Sequence, residues 1–518
     1  MPSLTVRCCT WNVGDMGPPD DDLHALLGIT DSNMPDIIGV CLQEVVAEDM
    51  WRKVLIDHLH PKDYVLAKAR NCWAIWIFLF VKRSLLPAIT NIESEVTPSG
   101  FGGVMGNKGG VSARFEVCGV NVILLSCHFS AHAEKKRDRL NDYLDIIEHQ
   151  SFRDEDVNVI LDHDYIFWMG DLNFRLDGIT KAETEKLIRE KRYAELLKHD
   201  QLLSMKNSKL IFQDFQEGEI KFPPTFKFDK GTDTYDTSAK QRIPSWTDRI
   251  LFLAHRDFAI DHHLNVDPTS TRRSPSPRRH VPVRGSPSTL EKNYPRNQSP
   301  LRHHRGPAVD LIEYTCLPQY KSSDHRPVVG TFQISVPSRW FSLPVQFIEP
   351  TEKEHGALAD LKFTYAVMNP PGLLRMTEVE SILSAKPSFP ASCLTELVVL
   401  SSLGRSLLEE TVAAQDTPVP LAPAPLEVGT SDWIGVYPAD FEDLEKSYAT
   451  YVYAPSTVTS APRSIASCST KNTETKCYSG TVPFRYLSEL QGKTYQLVYM
   501  SHKKNCPQGY SAKFTIKK

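Results

Sequence analysis

No stretch of this chain is long and apolar enough to cross a bilayer. The most hydrophobic run, Cys72 to Val81 (CWAIWIFLFV), spans ten residues, whereas a membrane helix needs about 20; it reads as a buried strand. The opening MPSLTVRCCTWNV lacks the apolar run of a secretory signal. The 11 cysteines are odd in number and scattered, with no CxxC pair, so neither a disulfide framework nor a zinc site reads from their spacing. Reduced thiols in a cytosolic, soluble protein are expected, with any membrane contact peripheral. Charge of one sign is scarce as well. The formal net charge is -4, so affinity for phosphate must come from local patches rather than from the whole chain.

What is present suffices for more than one core. The chain has 518 residues, 41% of them hydrophobic, and a single core stops growing at about 250 to 300 residues. Short apolar runs rich in β-branched or aromatic residues predict strands at Leu4 to Trp11, Asp36 to Leu42, Ala74 to Val81, Gly110 to Val117, Val122 to His128 and Tyr165 to Met169. Between them, Ala133 to His149 carries Leu140, Tyr143, Leu144 and Ile147 at helical spacing. Alternating strands and helices predict an α/β layered domain. The segment from Asp267 to Pro307 holds eight Arg and eight Pro with few large apolar residues. It cannot bury enough surface to offset its ordering entropy and is expected to be disordered. Order is expected again from Val309, with a closing strand at Val328 to Ile334. Beyond Pro344, strand-like pieces at Leu361 to Val367, Trp433 to Tyr437, Tyr448 to Tyr453, Tyr495 to Met500 and Ser511 to Ile516 predict a small all-β sandwich. It is interrupted by a Pro/Ala/Ser/Leu-rich insertion at about 369–430.

Polar clusters fall mostly at strand ends, where sites collect in layered α/β sheets. Trp11-Asn12 and Gln43-Glu44 offer an amide and a carboxylate that suit one hard cation such as Mg²⁺, although each alone is commonly a cap. His128 ends another run. Gly170-Asp171-Leu172-Asn173 follows Tyr165 to Met169; Asp171 there can orient and deprotonate a water, and Asn173 can hold an oxyanion. Asp324-His325 precedes the closing strand, where a carboxylate can orient a cationic imidazole that stabilises phosphate charge. Asn107-Lys108 lies in a Gly-rich turn whose amides and ammonium suit a phosphate. The stretch Phe222 to Leu251 is polar, with Lys227, Lys230, Lys240, Arg242 and Arg249; composition alone predicts an exposed loop.

Taken in order, TWNV (10–13), QEV (43–45), GNKGGV (106–111), CHFSAH (127–132), GDLNFRL (170–176), FPPTFKFDKGTDTYDTSAKQRIPSWTDRIL (222–251) and SDHRPV (323–328) resemble the inositol polyphosphate 5-phosphatase family. WN, QE, GDxN and SDH are shared with the wider group that includes DNase I and neutral sphingomyelinases; GNKGG and the YDTSAK-to-WTDRIL block mark the phosphoinositide phosphatases. The resemblance implies a four-layer sandwich of two mixed β-sheets flanked by helices, over residues 1–338. It implies Mg²⁺ held by Glu44 with Asn12, and a water activated by Asp171 with Asn173 supporting the phosphoryl oxygens. His325, oriented by Asp324, and His128 would stabilise the transition state. Lys108, Asn107, Tyr235, Lys240 and Arg242 would grip the substrate's neighbouring phosphate. SDWIGVYPADF (431–441), YATYVY (448–453), YQLVYMSHKKN and the final FTI resemble the SKICH domain, placing an immunoglobulin-like β-sandwich at 344–518 and the chain in the SKICH-containing subgroup.

The implied substrates are phosphoinositide lipids such as PtdIns(4,5)P2 and PtdIns(3,4,5)P3, and soluble inositol polyphosphates. A cytoplasmic monomer recruited to plasma membrane or endoplasmic reticulum is expected, with protein partners through the SKICH-like domain and no nucleic acid. Another phosphodiesterase of the same fold, or a non-catalytic targeting protein, are the alternatives. The chain departs from the subgroup after Arg70, where Trp73 or Ala74 stands in place of a Gly. The Arg/Pro segment carries nine Lys/Arg and four Ser-Pro sites, Ser274, Ser276, Ser286 and Ser299. An inert solvated loop is the plain expectation for it, and an electrostatic membrane tether switched by phosphorylation the sharper one.

Overall fold

A computed structural model describes residues 3–20, 22–29, 34–99, 108–254, 309–336, 431–454, 490 and 492–517, together with short strands between 340 and 482. Two six-stranded sheets form the centre. The first contains β1 (Ser3–Asn12), β2 (Ile37–Gln43), β3 (Tyr64–Cys72), β4 (Ile75–Lys82), β11 (Val309–Cys316) and β12 (Val328–Ser335), in the order β11-β12-β1-β2-β4-β3. The second contains β5 (Ile89–Ser99), β6 (Lys108–Val117), β7 (Val120–His128), β8 (Tyr165–Asp171), β9 (Gln216–Glu217) and β10 (Asp248–Ala254), in the order β5-β6-β7-β8-β10-β9. Each sheet has one parallel pair, β1 with β2 and β7 with β8, and antiparallel neighbours elsewhere.

The strand pleat explains the layering. In β1, Val6 and Cys8 point between the sheets while Cys9 and Trp11 point outward, and all four are buried. The outward side packs under α1 (His24–Leu27) and α2 (Glu48–Leu59), where Trp51 meets Trp11 edge-on at 5.7 Å. On the second sheet Trp168 faces α3 (Lys136–His149) and α6 (Gln201–Asn207), with α4 (Lys181–Arg189) and α5 (Tyr193–Leu196) nearby in sequence. Burying one such aromatic side chain stabilises by about 1.5–3 kcal/mol. The result is the expected four layers: helix, sheet, sheet, helix. At Gly39 the sheets approach so closely that a Cβ would lie 2.7 Å from Leu124 Cδ1.

Composition misled at 222–251. Instead of an exposed loop, this stretch buries Phe222, Phe226, Trp246, Thr247, Asp248 and Arg249 and enters β10. Its charges are internally matched. Arg249 Nη1 bonds Asp200 at 3.1 Å and Nη2 bonds Glu217 at 2.7 Å, so the guanidinium enters the core already paired.

The described elements of the C-terminal region are β-strands. Trp433–Pro438, Thr450–Tyr453, Thr494–Ser501, Cys506–Tyr510, Phe514–Lys517 and Glu354–Gly356 form one sheet, and Val345–Phe347, Leu361–Val367, Val458–Thr459 and Lys476–Val482 a second. Ile434, Val436, Leu497, Tyr499 and Phe514 supply its core. Within the expected insertion, Leu373–Arg375 pairs with Trp340–Ser342 as a strand. The rest of 369–430, and all of 267–307, lie outside the described residues. Among described residues no helix is long and apolar enough to cross a membrane, and eight of the cysteines, from Cys8 to Cys506, are buried.

Candidate active site

Strand direction gathers the polar clusters at one end of the sandwich. The parallel strands β1, β2, β7 and β8 all finish there, delivering Asn12, Glu44 (just after β2), His128 and Asp171. Their antiparallel neighbours β6, β10 and β12 begin there, delivering Lys108 and Asp248 at their first residues and His325 three residues before β12. Asp171 sits directly across from both His128 and Asp248 in the strand register. Asn107 lies outside the described residues.

Asp171 is the hub. Its Oδ2 lies 3.0 Å from Asn12 Nδ2, 3.2 Å from His128 Nε2 and 3.9 Å from His325 Nε2. Its Oδ1 accepts the Asn173 backbone N–H at 3.1 Å. Burial alone would raise this carboxyl's pKa, but His325 first and His128 next hold it well below the usual carboxylate range. A close approach of β8 to β7 at Gly170, beside Asp171, accompanies this arrangement. Gly170 has φ +149°, and a Cβ there would lie 2.0 Å from the Cys127 carbonyl oxygen. Gly170→Ala is therefore expected to destabilise the protein by about 3 kcal/mol, read as a lowered midpoint in denaturant unfolding; an unchanged midpoint would show that the backbone gives way freely.

His325 is oriented, but not by Asp324. Its Nδ1 faces both carboxylate oxygens of Asp248, at 3.1 and 2.9 Å. Asp324 instead accepts from Lys227 Nζ at 2.6 Å. Thr225 and Thr247 donate to Asp248 Oδ2 at 2.7 and 2.9 Å and fix that carboxylate. Phe226 packs against the His325 ring at 4.4 Å between centroids. Burial disfavours the imidazolium, yet Asp248 and then Asp171 outweigh it and raise the His325 pKa to about 9. His325 is thus a cation at neutral pH.

His128 behaves oppositely. Burial first, and then the Lys108 ammonium that touches its Nε2, lower its pKa. Burial lowers the Lys108 pKa as well, while Asp171 and then Glu44 favour its ammonium form.

Asn173 was expected to hold a phosphoryl oxygen. Its amide N–H groups are instead committed to Phe129 O (3.0 Å) and Asp171 Oδ2 (3.2 Å), and its Oδ1 accepts from Arg175. In this geometry it positions Asp171. Tyr235 likewise spends its hydroxyl on Pro224 O at 2.8 Å and stacks on Phe228 at 4.3 Å, anchoring its loop rather than presenting a free donor. Lys240 is exposed and Arg242 half-buried in the same loop, folded over Asp236, which accepts the Arg242 backbone N–H at 2.8 Å. Burial first, and then the Arg139 and Arg242 charges, lower the Arg175 pKa to about 10, against Asp171.

Ligand atoms of Asp171, Asp248 and His325 lie within 4.8 Å of one another, but Thr225, Thr247 and His325 already occupy Asp248. The carboxylate with an open side is Glu44, 29% exposed, with Oε1 3.1 Å from Asn12 Nδ2 and 3.8 Å from His128 Nε2. Carboxylate oxygens and no thiolate fit a hard divalent cation. Asn12 turns its NH2 group toward both carboxylates because its Oδ1 accepts the Gly14 N–H at 3.0 Å; it links Glu44 to Asp171 rather than offering them an oxygen. Asp248 and Phe226 were not singled out in the sequence, and Lys227 was read only as one charge of a loop. Thr247-Asp248 opening the apolar run ILFLA was the available signal.

Residues 9–331 match the endonuclease/exonuclease/phosphatase family 2 model, and residues 422–516 match the SKICH domain model. Human phosphatidylinositol 4,5-bisphosphate 5-phosphatase A is 39% identical over 264 residues, covering 48% of this chain and 26% of that protein. Mouse inositol polyphosphate 5-phosphatase K is 33% identical over 346 residues, covering 64% of this chain and 66% of that protein. Among solved structures, the inositol polyphosphate 5-phosphatase domain of SPsynaptojanin, in complex with inositol (1,4)-bisphosphate and calcium, is similar with a TM-score of 0.51 and 26% identity, covering 65% of this chain and 85% of that one. The chain thus spans about a quarter of the first relative's length.

Proposed function

The chain belongs to endonuclease/exonuclease/phosphatase family 2, and from that premise we propose that it is a Mg²⁺-dependent phosphatase. The reaction is removal of the 5-phosphate from phosphoinositides such as PtdIns(4,5)P2 and PtdIns(3,4,5)P3, and from soluble inositol polyphosphates. The observation that carries this reading is the buried Asp171 carboxylate set between cationic His325 and the Lys108–His128 pair, with Glu44 open beside it. The relatives' names supply the substrate class.

Hydrolysis forms a bond from a water oxygen to phosphorus and breaks the bond to the ring oxygen, which leaves as the inositol hydroxyl after taking up one proton, equal in number to the one the water gives up. Asp171 orients the water and accepts its proton. A carboxyl held this acidic is a weak base by itself, since general bases work best near the operating pH. A divalent cation on Glu44 would supply the missing acidity of the water and offset phosphoryl charge. His325, kept protonated and aimed by Asp248, stabilises the oxygens that gain charge in the transition state. Lys108 does the same from the opposite wall. Lys240 and Arg242, on the Asp236 loop, bind the adjacent ring phosphate and so select substrates with neighbouring phosphates. The C-terminal region acts as an address, recruiting a cytoplasmic enzyme to membranes and protein partners.

Phosphate release from PtdIns(4,5)P2, PtdIns(3,4,5)P3 and Ins(1,4,5)P3, set beside DNA and sphingomyelin, tests the reading; turnover of either of the last two in preference to inositides would overturn it. Glu44→Ala is expected to weaken Mg²⁺ binding at least about tenfold, measured by calorimetric Mg²⁺ titration. An unchanged titration would remove Glu44 from the metal site.

A further inference from the structure

The C-terminal domain does not merely follow the catalytic domain; it completes one of its sheets. β3 is the edge of the first sheet, and an edge strand carries unpaired backbone groups that must be covered. Here the segment 442–444 pairs with the edge at Leu66. Leu66 N–H donates to Glu442 O at 2.9 Å and Leu444 N–H donates to Leu66 O at 3.0 Å, a parallel bridge centred on Asp443. The bridge falls where β3 bulges, between Leu66 and Lys68, and Lys68 Nζ bonds Glu445 at 2.6 Å.

The same segment grips α2. Arg52, in the second turn of α2, donates from Nε to Asp443 Oδ2 at 3.1 Å, with a second bond from Nη2. Both side chains are buried, at 8% and 4% exposure. The remaining Asp443 oxygen accepts the Glu445 and Lys446 N–H groups at 2.9 and 3.1 Å, so the carboxylate is preorganised to receive Arg52. A buried pair this well bonded is costly to break from one side.

These two grips bracket Glu44. Glu44 lies outside any regular element, in the left-handed region at φ +57°, and inherits its place from its neighbours. On one side its chain leads within four residues into α2. On the other, Val45 N–H donates to Ala74 O at 3.0 Å, in the turn that joins β3 to β4. One short segment of the C-terminal domain therefore holds both elements that fix the metal carboxylate.

We propose that Asp443, with the 442–445 segment, is a positioning element for Glu44, so that docking of the C-terminal domain sets the affinity of the catalytic site for its divalent cation. The inference rests on the reading of Glu44 as the metal carboxylate. It predicts that cation affinity depends on a residue that touches neither substrate nor metal.

The test uses the full chain and Mg²⁺ alone as the probe. Arg52→Glu, Asp443→Arg and the double exchange are titrated calorimetrically, alongside Glu44→Ala. Hydrogen exchange at the Leu66 amide reports whether the segment has let go. Each single variant is expected to bind Mg²⁺ about tenfold more weakly, with Leu66 deprotected. The double variant, which restores opposite charges, is expected to recover most of that loss, something a merely destabilising lesion would not allow. The phosphatase should show a raised Mg²⁺ requirement with kcat at saturating Mg²⁺ within about twofold of the parent. Should the single variants fail to fold, Asp443→Asn, which keeps the shape, replaces them. If Leu66 loses protection while Mg²⁺ affinity stays at the parent value, and Glu44→Ala still weakens it, the positioning inference is overturned alone. If Glu44→Ala also leaves Mg²⁺ affinity unchanged, the metal reading falls and takes the inference with it.

Discussion

Asp171→Ala is expected to slow phosphate release from PtdIns(4,5)P2 by about 10⁴-fold, with the fold retained by circular dichroism. The magnitude follows from the hub position. One carboxylate receives Asn12 and Asn173 and lies against His128, and it is the negative charge that His325 faces at 3.9 Å. Its removal takes away the proton acceptor and also sets His325 and Lys108 across an uncompensated gap, so neither cation keeps its place. Asp171→Asn, which preserves the shape, should be nearly as slow, because the deficit is charge rather than volume. A variant keeping a tenth of the parent's kcat would sink the assignment.

Asp248→Asn is expected to cost about 10³-fold in kcat and to change the pH profile. The histidine it supports has a pKa raised from 6.5 to about 9, with Asp248 as the leading favourable cause against burial. The sign is fixed by linkage. A folded-state pKa above the unfolded one means that the imidazolium's ion pairs stabilise the fold fully below pH 6.5, and that this contribution fades as the pH rises through 9. Without the Asp248 charge the fading begins at lower pH. The alkaline limb of the activity profile should therefore move toward neutrality, and the gap in urea stability between parent and variant should close as the pH rises from 6 to 10. An alkaline limb that stays in place would mean His325 is not the group that titrates.

The strands that were plain in the sequence are those buried on both faces, such as β2 and β8, whose apolar runs are unbroken. β3, β5 and β11 were not read from it. Their burial is partial and their sequences, YVLAKARNC and ITNIESEVTPS among them, mix charge with apolar residues because one edge or face is finished by something distant. For β3 that finishing piece comes from more than 370 residues downstream, which no local pattern encodes. The site was legible as a set of strand-end clusters, and Asp171, His128, Lys108, Glu44 and His325 do converge. Partnerships were less legible. The assignment of Asp324 to His325 followed adjacency in the chain, whereas the folded backbone gives that place to Asp248, 77 residues away. Asn173 and Tyr235 looked like free donors because sequence does not show which hydrogen bonds are already taken.

The narrow approach at Gly39 carries a consequence of its own. Glu44 and His325 flank strands of the first sheet, while Lys108, His128, Asp171 and Asp248 end strands of the second. The chemistry therefore straddles a seam, and the width of that seam is set by what fills it. Gly39, facing Leu124 across the gap, acts as a spacer of minimum thickness. Any bulkier filling would part the two halves like a caliper opened a notch, and a displacement of about 1 Å at reacting groups can cost about 100-fold in rate. The apolar interior of this protein is thus also its gauge: residues with no chemistry of their own hold the tolerance to which the chemistry is cut.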